Sequence, residues 1–529
     1  MNRDQSSFIS FAVPRPVLYI GEGLLLCVIL VLAAYLRLTN VAENPGWYTD
    51  ETTHIDIANH RLEGSIQYML IKDSTLLFGR LPLFHVLLAA AFQISDSTDH
   101  MLVLRSFTGL LGVVSVGMLY AAVRGSGGSL QALLAALMLA IYPQAVLYSR
   151  FGFSYGLLPP IMLLTILALE RFLAGSKAGW LALAALALGI GLVAEVWTLA
   201  LVLPFVIAAA FRPRHLIWSL PLVVLPVIVY SFIMLGSAPE AFGFDLRFTL
   251  SRLVPSQTLT EQWDTLFNNM QILTGSGLWM LAGIIGLFAL QPVRLRWLGA
   301  LFFFIPIVLI GRTNALYNLS AYYMIPLLPL VALGVAALIR YGIVTIWQTA
   351  HQYLPVGQYL RSGAALLVSV LLILFVAGAP LLAGLVSTID EVQQGYVTDI
   401  DSFLINPRQA KHVAAFINSR VGVDDVIVTS PVVGWQFGGH PEDFQMAVAA
   451  NDYVATPHLP GDIPLSRLAF DPDYQHARFV VMDNLWHNWG EVHIPGLRVV
   501  VADVQANWPE VFQEGQFVVY ENPQLASQP

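Results

Sequence analysis

Through the first three quarters of the chain, apolar runs of similar length alternate with short polar breaks. About 20 apolar residues span the hydrocarbon core of a bilayer. Runs near that length recur at 17–36, 80–95, 101–123, 129–147, 155–173, 179–211, 215–235, 275–291, 297–311, 321–340 and 362–387. The pattern predicts a mainly α, polytopic membrane protein with about eleven transmembrane helices. The run at 179–211 is too long for one straight crossing and short for two, with Glu195 in its middle, so a broken or strongly tilted helix is expected there.

Beyond residue 387 the pattern changes. Asn406-Pro407 reads as an N-cap followed by proline at the first helical position. Val413, Ala414 and Ile417 then recur at helical spacing. Short β-rich runs follow: "DVIVTS" (425–430), "ARFVVMD" (477–483), "LRVVVADV" (497–504) and "GQFVVYEN" (515–522). These divide the chain into a transmembrane domain, 1–387, and a C-terminal extracytoplasmic α/β domain, 388–529.

Basic residues in short loops orient the spans. With the N-terminus cytoplasmic (Arg3, Arg15), Arg212, Arg214, Arg294, Arg296 and Arg340 fall inside, whereas Arg124, Arg171 and Lys177 fall outside against the rule. The loops 37–79 and 236–274 and the C-terminal domain are then outside. The first run lacks a small-residue cleavage site and is read as a retained span. A plasma-membrane, multi-pass location with the bilayer as partner is the expectation.

Composition agrees. Residues are 57% hydrophobic and only 11% charged, against about 25% charged in soluble domains, which excludes an ordinary soluble enzyme. The net charge of −8 argues against a nucleic-acid partner. The lone cysteine, Cys27, permits no intramolecular disulfide.

So few charges make one loop conspicuous. "NPGWYTDETTHIDIANHRLEG" (44–64) holds Asp50, Glu51, His54, Asp56, His60, Arg61 and Glu63. Ile55, Ala58, Leu62 and Ile66 make an apolar stripe, with Asp50, His54 and Arg61 on the other side. This predicts an amphipathic helix over about 50–64 lying along the membrane surface, its polar face turned toward a cavity. Thr53 and Asp56 have capping-box spacing and offer an alternative start. Trp47 and Tyr48 fit an interfacial anchor. The next element, "LLFGRLPLFHVLL", brings Arg80 and then His85. Carboxylates and a cation at one membrane surface suit a substrate bearing a hydroxyl and a lipid-linked phosphate.

These features resemble the GT-C glycosyltransferases, in particular the protein O-mannosyltransferases (glycosyltransferase family 39) and the aminoarabinose transferases that modify lipid A. The likeness lies in the acidic pair, the short helix and the basic-x-Pro-Leu run from Arg80. It continues in "HMLVLRSFTGLLGVVSVGMLY" (100–120), "YPQAVLYSRFGFSYGLLPPIMLL" (142–164) and "AYYMIPLLPLVALG" (321–334). The resemblance implies transfer of a sugar from a polyprenyl phosphate to an acceptor hydroxyl of a protein, lipid or cell-wall glycan on the outer face. Asp50 would be the catalytic aspartate, and Arg80 would contact the donor phosphate. Three departures stand out: Gly79 replaces an acidic residue, Glu195 a lysine, and Tyr322 an arginine before Tyr323, for which Arg312 could substitute.

Chemistry assigns the remaining roles. A hydroxyl nucleophile needs a base, Asp50; a departing lipid phosphate needs cations, Arg80 first and Arg312 second. Glu51 either orients a partner of Asp50 or joins it in holding a divalent cation, Mg or Mn. Arg105 is a donor contact or a buried structural cation that needs a partner. Glu195 is an intramembrane carboxylate, functional or paired with an arginine. His54 is a surface histidine or an auxiliary group, and His85 core or site. Tyr317, Tyr322 and Tyr323 are donor contacts or an aromatic belt. The segment 238–253 is a second surface helix or a plain loop. Two further readings stay open. A transporter or lipid flippase should show related halves, yet no second copy of the "DET…GRLPL" arrangement exists. A noncatalytic scaffold would not need Asp50.

Overall fold

The computed structural model describes residues 15–76, 81–175, 177–252, 258–274, 278–310, 320–353, 367, 371, 378–394, 403–452 and 455–526. Among them, six helices are long and apolar enough to cross a membrane, and four shorter apolar helices accompany them. In order, the helices are α1 (Arg15–Leu38), α2 (Thr49–Leu62), α3 (Pro82–Ser95), α4 (His100–Ile141), α5 (Pro143–Ser149), α6 (Leu158–Gly175), α7 (Ala178–Leu192), α8 (Leu199–Ala210), α9 (Pro213–Ser237), α10 (Pro239–Arg252), α11 (Leu259–Thr274), α12 (Leu278–Ala289), α13 (Val293–Ile310), α14 (Leu328–Tyr353) and α15 (Ala379–Gln393). A two-stranded ribbon, β1 (Gln67–Tyr68) and β2 (Ile71–Lys72), lies between α2 and α3.

The run at 80–95 does not cross as predicted. Its helix α3 has 14 residues, about 21 Å at 1.5 Å each, short of the roughly 30 Å hydrocarbon core. Moreover, Arg105 in the second turn of α4 donates to the carbonyls of Val41, Pro45 and Gly46 at 3.1, 2.6 and 2.8 Å. The chain therefore stays on one face, the loop face, from α2 to the start of α4. From there α4 runs antiparallel to α1 until Arg124 meets Glu22 at 3.0 Å. Gly128, at φ 83°, then turns it back; positive φ costs glycine nothing and most residues a Cβ clash. The returning half ends where Arg37 of α1 donates to Leu139 and Ala140 carbonyls, both at 2.9 Å.

The doubtful run at 179–211 resolves into two helices, α7 and α8, separated by a turn at 193–198 that carries Glu195. These two changes move the loops that follow. Arg171 lies against Gly125, Arg294 reaches Glu170 at 3.6 Å, and Arg212 stacks on Phe172. Arg124 and Arg171, predicted outside, thus share with Arg212 and Arg294 the face opposite the loop face. The apparent exceptions to the charge rule came from counting α3 as a crossing. Elsewhere the helix array is tightly crossed at glycine: a Cβ on Gly286 would lie 1.7 Å from the carbonyl oxygen of Gly334, so α12 and α14 touch backbone to backbone.

The C-terminal residues form a five-stranded sheet in the order β4-β3-β5-β7-β6. Its strands are β3 (Val426–Thr429), β4 (His440–Asp443), β5 (Phe479–Met482), β6 (Glu510–Glu514) and β7 (Phe517–Glu521), the first three parallel and the last two antiparallel to their neighbours. Helices α16 (Pro407–Asn418), α17 (Phe444–Asp452) and α18 (Pro495–Asn507) pack on it. Asn406 caps α16 as predicted, its side chain accepting from Arg408 and Gln409 N–H. The run 497–504, predicted a strand, is the middle of α18. Leu497, Val500, Val501 and Val504 are buried at helical spacing, which outweighs the β preference of valine.

The unit sits on the loop face. Trp47 and Ile405 exchange backbone bonds at 2.9 Å each, Tyr68 donates to Asp443 at 2.9 Å, and Arg467 clamps Asp245 of α10 at 2.6 Å. The segment 238–253 is helical as one reading held, through α10 to Arg252.

Candidate functional site

Helix α2 is not the two-sided surface helix predicted. Residues 51–58 are all buried. One side packs on α3 and α4 and the other on the one-turn helix Pro431–Gly434 of the C-terminal unit. Tyr48 is extended at the N-cap, and Glu51 folds back to accept its N–H at 3.0 Å, half of a capping box.

Glu51 is fully buried, as is Arg105. Oε1 accepts from Arg105 Nε at 2.7 Å and from the Gly152 N–H at 2.7 Å; Oε2 accepts from Arg105 Nη2 at 2.7 Å and from Tyr48. This bidentate pair joins α2 to α4 and to the 150–153 loop. Arg150 adds bonds to the carbonyls of Leu36, Thr39 and Asn44 at 2.9, 2.7 and 2.8 Å. Sequence reading left Arg37 and Arg150 unassigned, yet with Arg105 they knit the 36–46 segment to the helices. Arg105 is thus a buried cation with a partner, and the partner is Glu51, whose two oxygens accept four hydrogen bonds. With its oxygens so occupied, Glu51 does not join Asp50 in a set that fits a divalent cation. Among the described residues no group of three or more His, Cys, Asp or Glu side chains could hold a metal ion.

Asp50 differs from its neighbour: it is only half-buried, at the first turn of α2. Behind lies a buried aromatic layer. Tyr48 meets Phe153 at 5.7 Å and Tyr322 at 6.5 Å, and Phe153 stacks on Tyr322 at 4.7 Å. In front, Tyr155, Tyr323 and Trp197 are half-buried. Tyr155 touches Tyr322 and Tyr323 at 5.1 and 5.3 Å, Trp197 touches Tyr323 at 5.7 Å, and the Tyr322 and Tyr323 hydroxyls bond at 3.1 Å. The structure thus gathers Asp50, Tyr322 and Tyr323 at one place.

Glu195 joins the same face through Ser154, whose hydroxyl it accepts at 2.8 Å, and it also accepts the Val196 N–H. His54 is not at the surface: it is 2% exposed, and its Nδ1 meets Nε2 of the equally buried His85 at 2.9 Å. His85 Nδ1 faces the Leu81 carbonyl at 3.1 Å and so carries the hydrogen, which makes His85 Nε2 the acceptor and His54 Nδ1–H the donor. The pair ties α2 to α3. Arg80, Arg312 and Tyr317 lie outside the described residues.

Residues 80–237 match the dolichyl-phosphate-mannose-protein mannosyltransferase family. No curated protein matches the chain in sequence. Among solved structures, the chain is similar to ArnT from Cupriavidus metallidurans in the apo state, with a TM-score of 0.63, 13% identity, and coverage of 97% of this chain and 100% of that one. It resembles the same protein bound to undecaprenyl phosphate at TM-score 0.61 and 12% identity, covering 96% and 99%. The archaeal oligosaccharyltransferase AglB from Archaeoglobus fulgidus, in complex with an inhibitory peptide and a dolichol-phosphate, superposes at TM-score 0.53 and 14% identity, covering 97% and 75%. Over nearly the whole length the chain shares the fold of these structures, and the segment that matches the mannosyltransferase family lies inside it, which supports the GT-C resemblance read in the sequence.

Proposed function

We propose that the protein transfers a sugar from a polyprenyl-phosphate donor to an acceptor hydroxyl at the loop face, with Asp50 as general base. One observation carries the reading: of two adjacent carboxylates, Glu51 is sealed into an ion pair, while Asp50 is half-buried at the start of α2, two residues after Tyr48 of the aromatic wall. The undecaprenyl phosphate and dolichol-phosphate held by the structural relatives support the donor class. The cluster of Arg124, Arg171, Arg212 and Arg294 on the opposite face supports a cytoplasmic assignment for that face and an outer one for the site.

The acceptor oxygen attacks the anomeric carbon from the side opposite the phosphate. The new C–O bond forms as the anomeric carbon–phosphate oxygen bond breaks, and the electron pair leaves with the polyprenyl phosphate. The acceptor proton passes to Asp50. A single displacement of this kind inverts the anomeric centre. The departing phosphate needs cationic stabilisation, for which Arg80 and Arg312 are the proposed groups. The test is transfer from a radiolabelled polyprenyl-phosphate sugar in purified membranes. Asp50→Asn is expected to lose about 10²–10⁴-fold in rate at unchanged protein level; equal transfer by both proteins would overturn the assignment.

A further inference from the structure

The half-buried aromatic trio has no role in the proton transfer or in charge stabilisation, and its placement asks for one. Trp197, Tyr323 and Tyr155 form a continuous row, each ring within 5.7 Å of the next. The row begins at Tyr322, whose ring meets that of Tyr48, two residues before Asp50, at 6.5 Å. Its backing, Tyr48, Phe151, Phe153 and Tyr322, is buried, so the front rings are held on a rigid layer. Three aromatic side chains that could have been buried stay partly open beside the proposed base.

Glu195 explains how the row is held. It stands two residues before Trp197, in the turn between α7 and α8, and accepts the Val196 N–H at 3.0 Å. It also accepts the hydroxyl of Ser154, the residue before Tyr155. One buried carboxylate, 5% exposed, thereby fixes the two outer members of the row relative to each other. A carboxylate buried to this degree is costly unless it is hydrogen-bonded, and these two bonds offset the cost.

We infer that Trp197, Tyr155 and Tyr323 form a platform on which the sugar ring of the donor stacks, and that Glu195 is the positioning residue that sets it. The axial C–H bonds of a sugar ring give one weakly positive apolar face, which suits the negative face of an aromatic ring. Seating the ring there would bring the anomeric carbon toward Asp50 and leave the lipid phosphate free to find its cations. This inference rests on the transfer reading above and adds the part of the donor that the row recognises: the sugar, not the lipid phosphate.

The experiment compares two probes on the full-length protein in nanodiscs: undecaprenyl phosphate alone, and undecaprenyl phosphate carrying a hexose. Trp197→Ala is expected to raise the donor KM about tenfold, with kcat little changed and the Kd of bare undecaprenyl phosphate unchanged. Trp197→Phe restores the KM to within about twofold of wild type. Glu195→Gln gives the same KM-selective defect in milder form, which a role limited to stability would not produce. Should Trp197→Ala fail to fold, Tyr155→Leu carries the same expectation. An unchanged donor KM in these variants overturns the platform, as does an equal loss of affinity for the bare lipid phosphate. The two readings fail separately. Wild type that prefers the sugar-loaded lipid in binding but transfers nothing refutes the transfer reading and keeps the platform; transfer insensitive to the Trp197 side chain does the reverse.

Discussion

Replacing Glu51 with glutamine removes a charge and one acceptor and adds a donor where only donors face it. Both partners of the pair are fully buried, so neither charge is screened by water. Losing one partner of such a pair costs about 3–5 kcal/mol, because the remaining guanidinium is stranded in a low-dielectric site. At 1.4 kcal/mol per tenfold, that is roughly a 10²- to 4 × 10³-fold fall in the folded-to-unfolded ratio. Gly152 and Tyr48 N–H also risk losing an acceptor, so the upper end is expected. Thermal unfolding of detergent-purified protein, followed by tryptophan fluorescence, measures the loss. The double variant Glu51→Met with Arg105→Met should recover only part of it, since it leaves no stranded charge but strips the Val41, Pro45 and Gly46 carbonyls and the Gly152 and Tyr48 N–H groups of their partners. Wild-type stability in Glu51→Gln, together with a rate loss like that of Asp50→Asn, would show that Glu51 acts in the chemistry and that the division of labour between the two carboxylates is wrong.

Two predictions concern the C-terminal unit. Arg467 is bonded to Asp245 at 2.6 Å and to the carbonyl of Asp73 at 3.0 Å, so Arg467→Met should release α10 and speed limited proteolysis within 239–252; an unchanged digestion pattern refutes the clamp. Burial pushes the Asp443 carboxyl up to about 6, against the opposing bonds from Gln445 and Tyr68. A carboxyl raised above its unfolded value holds its proton in the folded state, so its contribution to stability is intact below the unfolded pKa and is lost as pH rises toward 6. Asp443→Asn escapes that loss, and its stability relative to wild type should improve by roughly 1–2 kcal/mol between pH 5 and pH 7.5. A gap that is flat with pH, read from unfolding midpoints at both values, refutes it.

Much was legible in local pattern. The length of the apolar runs announced a membrane protein, because spanning length follows from bilayer thickness. The concentration of charge at 50–63 marked the candidate site, because ionisable groups are too costly to place idly in so apolar a chain. Asn406-Pro407 marked a helix start through chemistry local to the cap. What pattern could not supply was anything that depends on a distant partner. Asp50 and Glu51 are the same functional group on adjacent residues; only Arg105 and Gly152, far along the chain, make one a sealed ion pair, whereas the other is half-buried. His54 looked like a surface residue until α3 brought His85 against it. Whether an apolar run crosses or lies on the membrane was likewise decided by packing, since α3 is as apolar as a span and is placed on the loop face by where Arg105 must bond. Periodicity is a property of neighbours in sequence, whereas partner choice, burial and crossing direction are set by which helices meet.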